Sequence, residues 1–431
     1  MKSTKRTTIN RQMNRRLFLA GSSALLAAPA ILRSSRAYAQ TPTLKVGHVS
    51  PRTGPLAGFA EADDYVLEAI SQRFSAGIEN NGRTWAIEVI SKDSQSNPNR
   101  AAEVASQLIL EDEVDIIVAA STPDTVNPVS DQAEINDVPC ITTDCPWQPY
   151  FFGRGGNPAE GFRNTFHFFW GLEDVIAAFL DMWGGTGVAP VVGGLFPNDA
   201  DGNAWGDPVN GLPTPLAEAG YNLIDPGRYQ PMSDDFSNYI NAFKEAGCEI
   251  VTGNMIAPDF GTFWSQAAQQ GFAPKIVTIG KALLFPSVIE GLGERGNGLS
   301  SEVWWSPNHP FASSLTGASA ADLAHGFTAA TGRPWTQPIG FKHALFEVVA
   351  DVVARSADLE DPDATLEAIR TTAIDSIVGP INWAQGPVPN VTKTPLVAGQ
   401  WQREGEGIEL KIVANSSAPE IPTTGELMLL D

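Results

Sequence analysis

The sequence predicts an α/β fold with parallel sheets, and three observations support this fold class. Short apolar runs rich in β-branched residues, such as residues 114–119, alternate with longer segments whose apolar residues recur at helical spacing. Short polar loops separate these segments, as is typical of the strands and crossover helices of a parallel sheet. The alternation restarts near residue 188 after a Gly-rich and aromatic stretch, and 431 residues are enough for two such domains.

The first series begins with a strand at residues 44–49. This strand turns at Ser50-Pro51-Arg52 toward a helix for which Thr53 is the expected N-cap. Further strands are predicted, each ending in a polar loop, at residues 85–90, 114–119 and 138–142. Helix N-termini that follow such strands present free backbone N–H groups, and open α/β sheets bind their ligands at this edge.

The second series repeats this order, with strands predicted at residues 188–196, 221–224, 249–253 and 275–280. The last third of the chain holds helical patterns near residues 320–331, 339–355 and 363–371, and strand patterns at residues 381–383 and 396–401. Residues 414–431 are rich in Pro, Ser and Thr, so we expect a loosely held C-terminal tail.

Residues 1–39 are typical of a secretory signal peptide. They carry eight basic residues and no acidic one, and an apolar run precedes the cleavage pattern Ala37-Tyr38-Ala39. The pair Arg15-Arg16 before Leu-Phe-Leu indicates a twin-arginine signal, with an ordinary Sec signal as the alternative. The apolar run is shorter than a membrane span, and no later segment has spanning length. We therefore expect an exported protein, cleaved after Ala39, with no stable membrane insertion.

Composition excludes several kinds of partner. The formal net charge is −21, and residues 1–39 contribute +8 to it, so the rest of the chain carries −21 − 8 = −29. A charge this negative argues against nucleic acid and anionic membrane surfaces as partners. The chain is 43% hydrophobic and 18% charged, which is typical of a globular protein. Three cysteines are too few for a disulfide framework. Cys140 and Cys145 are close enough in sequence to pair, but burial as small free residues is the favoured interpretation.

No motif in the sequence specifies catalysis or metal binding. The five histidines lack metal-ligand spacing, and no nucleophile elbow, zinc-protease or phosphate-loop pattern occurs. Residues 198–202 resemble a calcium loop but lack the distal bidentate acid in register. We therefore expect a protein that binds rather than catalyses, with no metal and no cofactor. An exported α/β hydrolase is the competing interpretation, although no nucleophile and base can be named.

Six stretches carry a resemblance to a known family: LKVGHVSPRTGPLAGF, KDSQSNPNRAAEVASQLILEDEVDIIVA, DVPCITTDCP, NDADGNAWGD, GNMIAPDFG and GPINW. Their order and spacing resemble the leucine/isoleucine/valine-binding type I periplasmic binding proteins of ABC importers. The resemblance implies two Rossmann-like lobes, a three-strand hinge and a ligand cleft between the lobes. It places lobe 1 at residues 43–163 and 300–378, and lobe 2 at residues 164–299 and 379–413. It also implies a periplasmic, monomeric protein whose partners are a small-molecule ligand and the membrane permease of an ABC importer.

The resemblance also carries over candidate ligand-binding residues. On lobe 1 these are Phe59, Ser121, Thr122, Pro123, Thr143, Asp144 and Trp147. On lobe 2 they are Trp205, Asn254, Met255, Ala257 and Lys281. Phe59 shares a predicted helix face with Leu56 and could equally belong to the core, and ordinary N-caps would also explain the hydroxyl groups.

Lys281 departs from the family pattern, because amino-acid-binding members place an acid in this loop to pair with the ligand's ammonium group. A cleft lysine with no acid beside it would attract an anion, whereas a solvated surface lysine would have no such role. With 11 Trp in the chain to supply aromatic walls, we expect a carboxylate or neutral solute with an apolar or aromatic portion. A branched-chain amino acid or amide is the alternative ligand, and a sensor for a membrane signalling protein is the alternative role.

Overall fold

A computed structural model describes residues 41–405 and 407–431. The expected signal peptide and its cleavage site lie outside the described residues. No helix in the described ranges is long and apolar enough to cross a bilayer. The predicted α/β class with two lobes is confirmed.

The strands run in chain order as β1 Thr43–Ser50, β2 Ile78–Asn80, β3 Arg83–Asp93, β4 Ile116–Ala120, β5 Cys140–Thr143, β6 Thr165–Phe168, β7 Val191–Pro197, β8 Asn222–Ile224, β9 Arg228–Tyr229, β10 Ile250–Gly253, β11 Ile276–Ile279, β12 Ser300–Val303, β13 Ala373–Ser376, β14 Gly379–Asn382, β15 Val391–Thr392, β16 Val397–Glu404 and β17 Gly407–Ala414. The α-helices are α1 Asp63–Phe74, α2 Pro98–Leu110, α3 Pro123–Ile135, α4 Trp147–Phe151, α5 Leu172–Trp183, α6 Ala200–Trp205, α7 Pro213–Glu218, α8 Ser237–Ala246, α9 Ala257–Gln269, α10 Pro286–Leu292, α11 Ala320–Thr331, α12 Pro338–Arg355 and α13 Pro362–Arg370. Short 3₁₀ turns occupy Ala57–Ala60, Ala282–Leu284, Gly293–Gly296 and Trp383–Gln385.

Two sheets define the lobes. Lobe 1 is built on the order β15-β6-β5-β4-β1-β3-β2, which is parallel apart from the β2–β3 hairpin. Lobe 2 is built on the order β17-β16-β12-β11-β10-β7-β8, parallel from β12 to β8 and closed by an antiparallel β16–β17 edge. The central strands are apolar and buried on both faces, as Ile116–Ala120 shows, because helices cover both sides of each sheet.

The chain passes between the two sheets three times, directly after β6, after β12 and after β15. The lobe boundaries expected from the resemblance therefore differ from the sheets at three strands. β6 and β15 belong to the first sheet and β12 belongs to the second, since each crossing follows its strand rather than preceding it. This places the aromatic ends of β6 and β12 at the crossings, where both lobes can reach them.

The first helix begins later than the sequence predicts. Thr53 does not cap it, because its hydroxyl donates to Asp93 Oδ2 at 2.7 Å. The backbone then turns at Gly54, where φ is +91°, and passes through the 3₁₀ turn Ala57–Ala60 before α1 starts at Asp63. The added turn carries Phe59 toward the second lobe.

The C-terminal tail is not loosely held, contrary to the expectation from its composition. Ala418 and Ile421 are buried in the lobe 2 core. Backbone bonds join Thr424 to Ile412 and Leu430 to Lys275, so the tail packs along lobe 2 in spite of its Pro and Ser content. The three cysteines are free and buried.

Candidate functional site

A small cavity lies between the two lobes, at the carboxyl ends of both parallel sheets. Its volume is about 20 Å³, which holds about one water molecule. We call it the interlobe cavity. It is lined by Phe59, Thr122, Asp144, Pro146, Phe169, Trp170, Asp201, Trp205, Lys281, Leu284, Glu302 and Trp304. Residues of both lobes contribute to this wall, together with Phe169, Trp170 and Trp304 from the segments that cross between the sheets.

The lobes touch each other around this cavity, so the cleft is closed. The Phe59 and Phe285 rings meet edge to face at 5.1 Å between centroids. The Ala200 N–H of lobe 2 donates to Asp124 Oδ1 of lobe 1 at 3.3 Å, and Ser287 donates its hydroxyl to Glu61. A second cavity of about 340 Å³ shares Phe59 and Lys281 with the first and is bounded by the turn Ala57–Ala60 and α10. The cleft therefore has an inner polar part and a wider outer part.

Five of the predicted site residues line the interlobe cavity: Phe59, Thr122, Asp144, Trp205 and Lys281. Each lies just past the end of a parallel strand or in the first helical turns beyond it, as the topology of both sheets dictates. Asp144 has a φ of +73° and Lys281 a φ of +60°, conformations that cost energy for residues with a side chain. Such positions persist where the surrounding structure enforces them, and they concentrate at binding sites.

The other predicted residues lie beside the interlobe cavity rather than on its wall. Thr143 donates its hydroxyl to the Phe168 carbonyl at 2.6 Å and ties β5 to β6. Trp147 donates its indole N–H to Glu173 Oε1 at 3.2 Å. Ala257 lines the outer cavity. The remaining four, Ser121, Pro123, Asn254 and Met255, are buried at strand ends behind the wall.

The expectation that Lys281 has no acid beside it is wrong. Its Nζ lies 3.1 Å from Asp199 Oδ2 and 3.1 Å from Asp201 Oδ2. Burial lowers the pKa of Lys281, but the carboxylates of Asp199, Asp201 and Asp124 outweigh it and raise that pKa. The alternative of a solvated lysine also fails, since the side chain is only 7% exposed. The segment that resembled a calcium loop supplies this ion pair, and the described residues contain no cluster arranged to hold a metal ion.

Asp144 and Glu302 are the carboxyl groups of the cavity without a cationic partner among the described residues. Burial raises the pKa of Asp144 to about 7, where Lys342 lowers it and Asp63 raises it. Burial likewise raises the pKa of Glu302 to about 7, against hydrogen bonds that include the Ser301 hydroxyl at 2.8 Å. Neither Oδ atom of Asp144 has a hydrogen-bond partner in the part of the chain described.

Aromatic rings supply much of the remaining wall. Phe169 lies between Trp170, at 4.8 Å between centroids, and Trp304, at 5.2 Å. The indole N–H groups of Trp170, Trp205 and Trp304 have no acceptor among the described residues. Prediction from the sequence missed Phe169, Asp201 and Glu302 as wall residues, whereas Trp170 and Trp304 are among the tryptophans near strand ends that it offers as aromatic walls. The aromatic runs after β6 and β12 were the available signal, but only the sheet order shows that both runs end at the cleft.

A larger groove of about 880 Å³ lies elsewhere, between α10, α11 and the β16–β17 edge. None of the predicted site residues lines it, and its wall carries exposed side chains such as His325 and Arg403. The interlobe cavity is therefore the candidate site.

Comparison with known proteins agrees with this geometry. The sequence model of the periplasmic binding protein family matches residues 43–406. No curated protein matches the chain significantly by sequence. Among solved structures, a leucine-binding protein from Thermotoga maritima is 19% identical with a TM-score of 0.69, covering 86% of this chain and 99% of its own. A solute-binding protein from R. palustris in complex with 4-hydroxybenzoate is 14% identical with a TM-score of 0.71, covering 86% and 96%. At these identities the structures show the shared fold.

Proposed function

Since this chain belongs to the periplasmic binding protein family, we propose that it captures a small organic solute between its lobes and delivers it to the membrane permease of an ABC importer. The observation that carries this proposal is the interlobe cavity, whose wall includes residues of both lobes. A solute that contacts both walls stabilises the closed arrangement over the open one, because it loses its contacts with one wall when the lobes separate. The role is binding, not catalysis.

The proposed solute is small and has an apolar or aromatic portion. Phe59, Phe169 and the Trp170, Trp205 and Trp304 rings provide flat apolar walls. The free indole N–H groups suit an acceptor such as a hydroxyl or carbonyl oxygen. The preference for a carboxylate rested on an unpaired Lys281, and the ion pairs of that lysine remove its basis.

We place the mature protein in the periplasm as a monomer, exported by its twin-arginine-like signal and cleaved after Ala39. The six-stretch resemblance and the family support this location. A sensor that presents its ligand state to a membrane signalling protein would use the same lobe closure, and no contact in the described residues favours that role.

Lobe closure can be measured directly with spin labels on the two lobes. Asn99 on α2 of lobe 1 and Glu245 on α8 of lobe 2 are exposed, so cysteines placed there accept labels without disturbing the cores. The native cysteines are buried and should label slowly. Pools of small amines, amides, carboxylates and amino acids are added, and the inter-label distance is followed by pulsed dipolar spectroscopy.

At least one pool is expected to shift the distribution toward the shorter distance. A matched pair of labels at Asn99 and Glu160, both on lobe 1, should show no shift, since it reports only changes within one lobe. An unchanged Asn99–Glu245 distribution with every pool would contradict the proposed function.

A further inference from the structure

Building on the proposed binding function, we propose that the solute is a small organic cation whose ammonium or guanidinium group lies between the carboxylates of Asp144 on lobe 1 and Glu302 on lobe 2. The solute would thus join the lobes through charge as well as through apolar contact. This assigns the polar end of the ligand, which the fold alone leaves open.

Asp144 is the strongest evidence. It is only 4% exposed, lines the interlobe cavity, and has no hydrogen-bond partner for either carboxylate oxygen in the described part of the chain. A buried carboxyl group without partners is costly, and native structures rarely keep one without a reason. Its loop is held in place by neighbouring bonds, such as the one from Thr143 to Phe168, so it faces the cavity in spite of a φ of +73°.

The two buried lysines near the site are already paired with carboxylates. Lys281 is shared by Asp199 and Asp201, at 3.1 Å each. Lys342 Nζ lies 2.8 Å from Asp63 Oδ1 and donates to Ser50 Oγ at 2.7 Å. Among the described residues, therefore, no cation of the protein is left to balance the carboxyl groups of Asp144 and Glu302. A positively charged solute would supply the missing charge, whereas an anion would face both carboxyl groups.

The aromatic rings of the cavity wall also favour a positively charged solute. Cations are attracted to the faces of aromatic rings, most strongly to Trp, and the attraction increases where water is excluded. The cavity wall includes three Trp and two Phe side chains. An anionic group gains no attraction from such ring faces, although its oxygen atoms could accept hydrogen bonds from the indole N–H groups.

The protonation of the two carboxyl groups gives the inference a pH signature. The pKa of Asp144 and the pKa of Glu302 are both raised to about 7 by burial. The groups that face Asp144 are Lys342 on α12, which opposes this shift, and Asp63 on α1, which adds to it. Glu302 faces the Ser301 hydroxyl and, more distantly, Asp201. A cation binds the ionised form, so its affinity should rise from pH 5 to pH 8, while the ammonium group of a primary alkylamine, whose pKa lies above 8, keeps its charge over this range.

Two matched series of probes test the charge preference by isothermal titration calorimetry of the mature protein. The first is 4-hydroxybenzylamine, 4-hydroxybenzamide and 4-hydroxybenzoate, and the second is ethanolamine, glycolamide and glycolate. Each series keeps its hydroxyl acceptor and changes only the charged end. The amine of at least one series is expected to bind at least about tenfold more tightly than its carboxylate, and to bind more tightly at pH 8 than at pH 5.

A carboxylate or an amide that binds most tightly in both series would overturn the inference. So would amine binding that does not weaken at pH 5. If carboxylates or amino acids close the lobes in the spin-label experiment and amines do not, the inference fails and the proposed function stands. If no compound closes the lobes, both fail.

Discussion

Replacing Asp144 by Asn should weaken the binding of a cationic solute at least about thirtyfold at pH 8, because it removes one partner of a buried charge pair, a change worth about 2 kcal/mol or more. Asn has nearly the same shape as Asp, so the lobe 1 core around the loop should keep its packing. The measurement is calorimetric titration of the variant with whichever probe amine binds the unmodified protein. The remaining affinity should also depend less on pH, since Asp144 would no longer titrate while Glu302 still would, near pH 7.

Asp375→Asn is the matched control, because Asp375 is an exposed acid outside the cleft. It removes the same formal charge from the protein and should leave affinity unchanged within a factor of about two. Equal loss in both variants would mean that net charge, and not a contact with Asp144, governs binding. Unchanged affinity in Asp144→Asn would remove Asp144 from the site.

The second large effect concerns stability. Lys342→Met should lower the free energy of unfolding by about 3–5 kcal/mol, since it leaves Asp63 buried without its partner. Both side chains of this pair are only 1% exposed, so water cannot take the place of the lost contact. Chemical denaturation followed by Trp fluorescence measures the change. Lys342→Met should also raise the pKa of Asp144, because Lys342 holds that pKa down in the intact protein.

A double variant separates the pair from the packing of the lysine stem. Combining Asp63→Asn with Lys342→Met removes both charges and should recover part of the loss, since no unpaired charge remains buried. Arg83→Met serves as the surface comparison, because Arg83 and Glu360 are both more than half exposed and such pairs contribute about 1 kcal/mol or less. Additive losses in the double variant would show that the two charges do not stabilise one another.

The fold could be predicted from the sequence because its signals are local. Buried strands such as Ile116–Ala120 and amphipathic helices such as Pro98–Leu110 show their periodicity within a few residues. The start of the first helix could not be predicted from local signals, since the hydrogen bond from Thr53 to Asp93 joins positions 40 residues apart. The packing of the C-terminal tail could not be predicted for the same reason. Its Pro and Ser content favours a loose segment, but contacts with lobe 2 decide its packing.

The site divides in the same way. Phe59, Asp144 and Trp205 were predicted because the family resemblance carries its binding loops onto these positions, and all three line the interlobe cavity. The charge of the cleft was not predicted, because it depends on which acidic side chain pairs with Lys281 from a position about 80 residues away in the sequence. Glu302 lies inside β12, which the resemblance places in lobe 1 and which pairs within the second sheet. The pattern of a single sequence does not show which charged residues pair across long sequence distances.

The most direct test is a crystal structure of the mature protein with the tightest-binding probe amine. We expect density for the amine in the cleft between the lobes, with its nitrogen in the interlobe cavity about 2.7–3.2 Å from carboxylate oxygens of both Asp144 and Glu302. Its body should lie against the Trp faces, in a cleft opened wider than the one-water cavity of the closed structure. Lys281 should still be held by Asp199 and Asp201. Density outside the cleft between the lobes, or a bound anion that displaces Asp199 or Asp201 from Lys281, would contradict the proposed cation site.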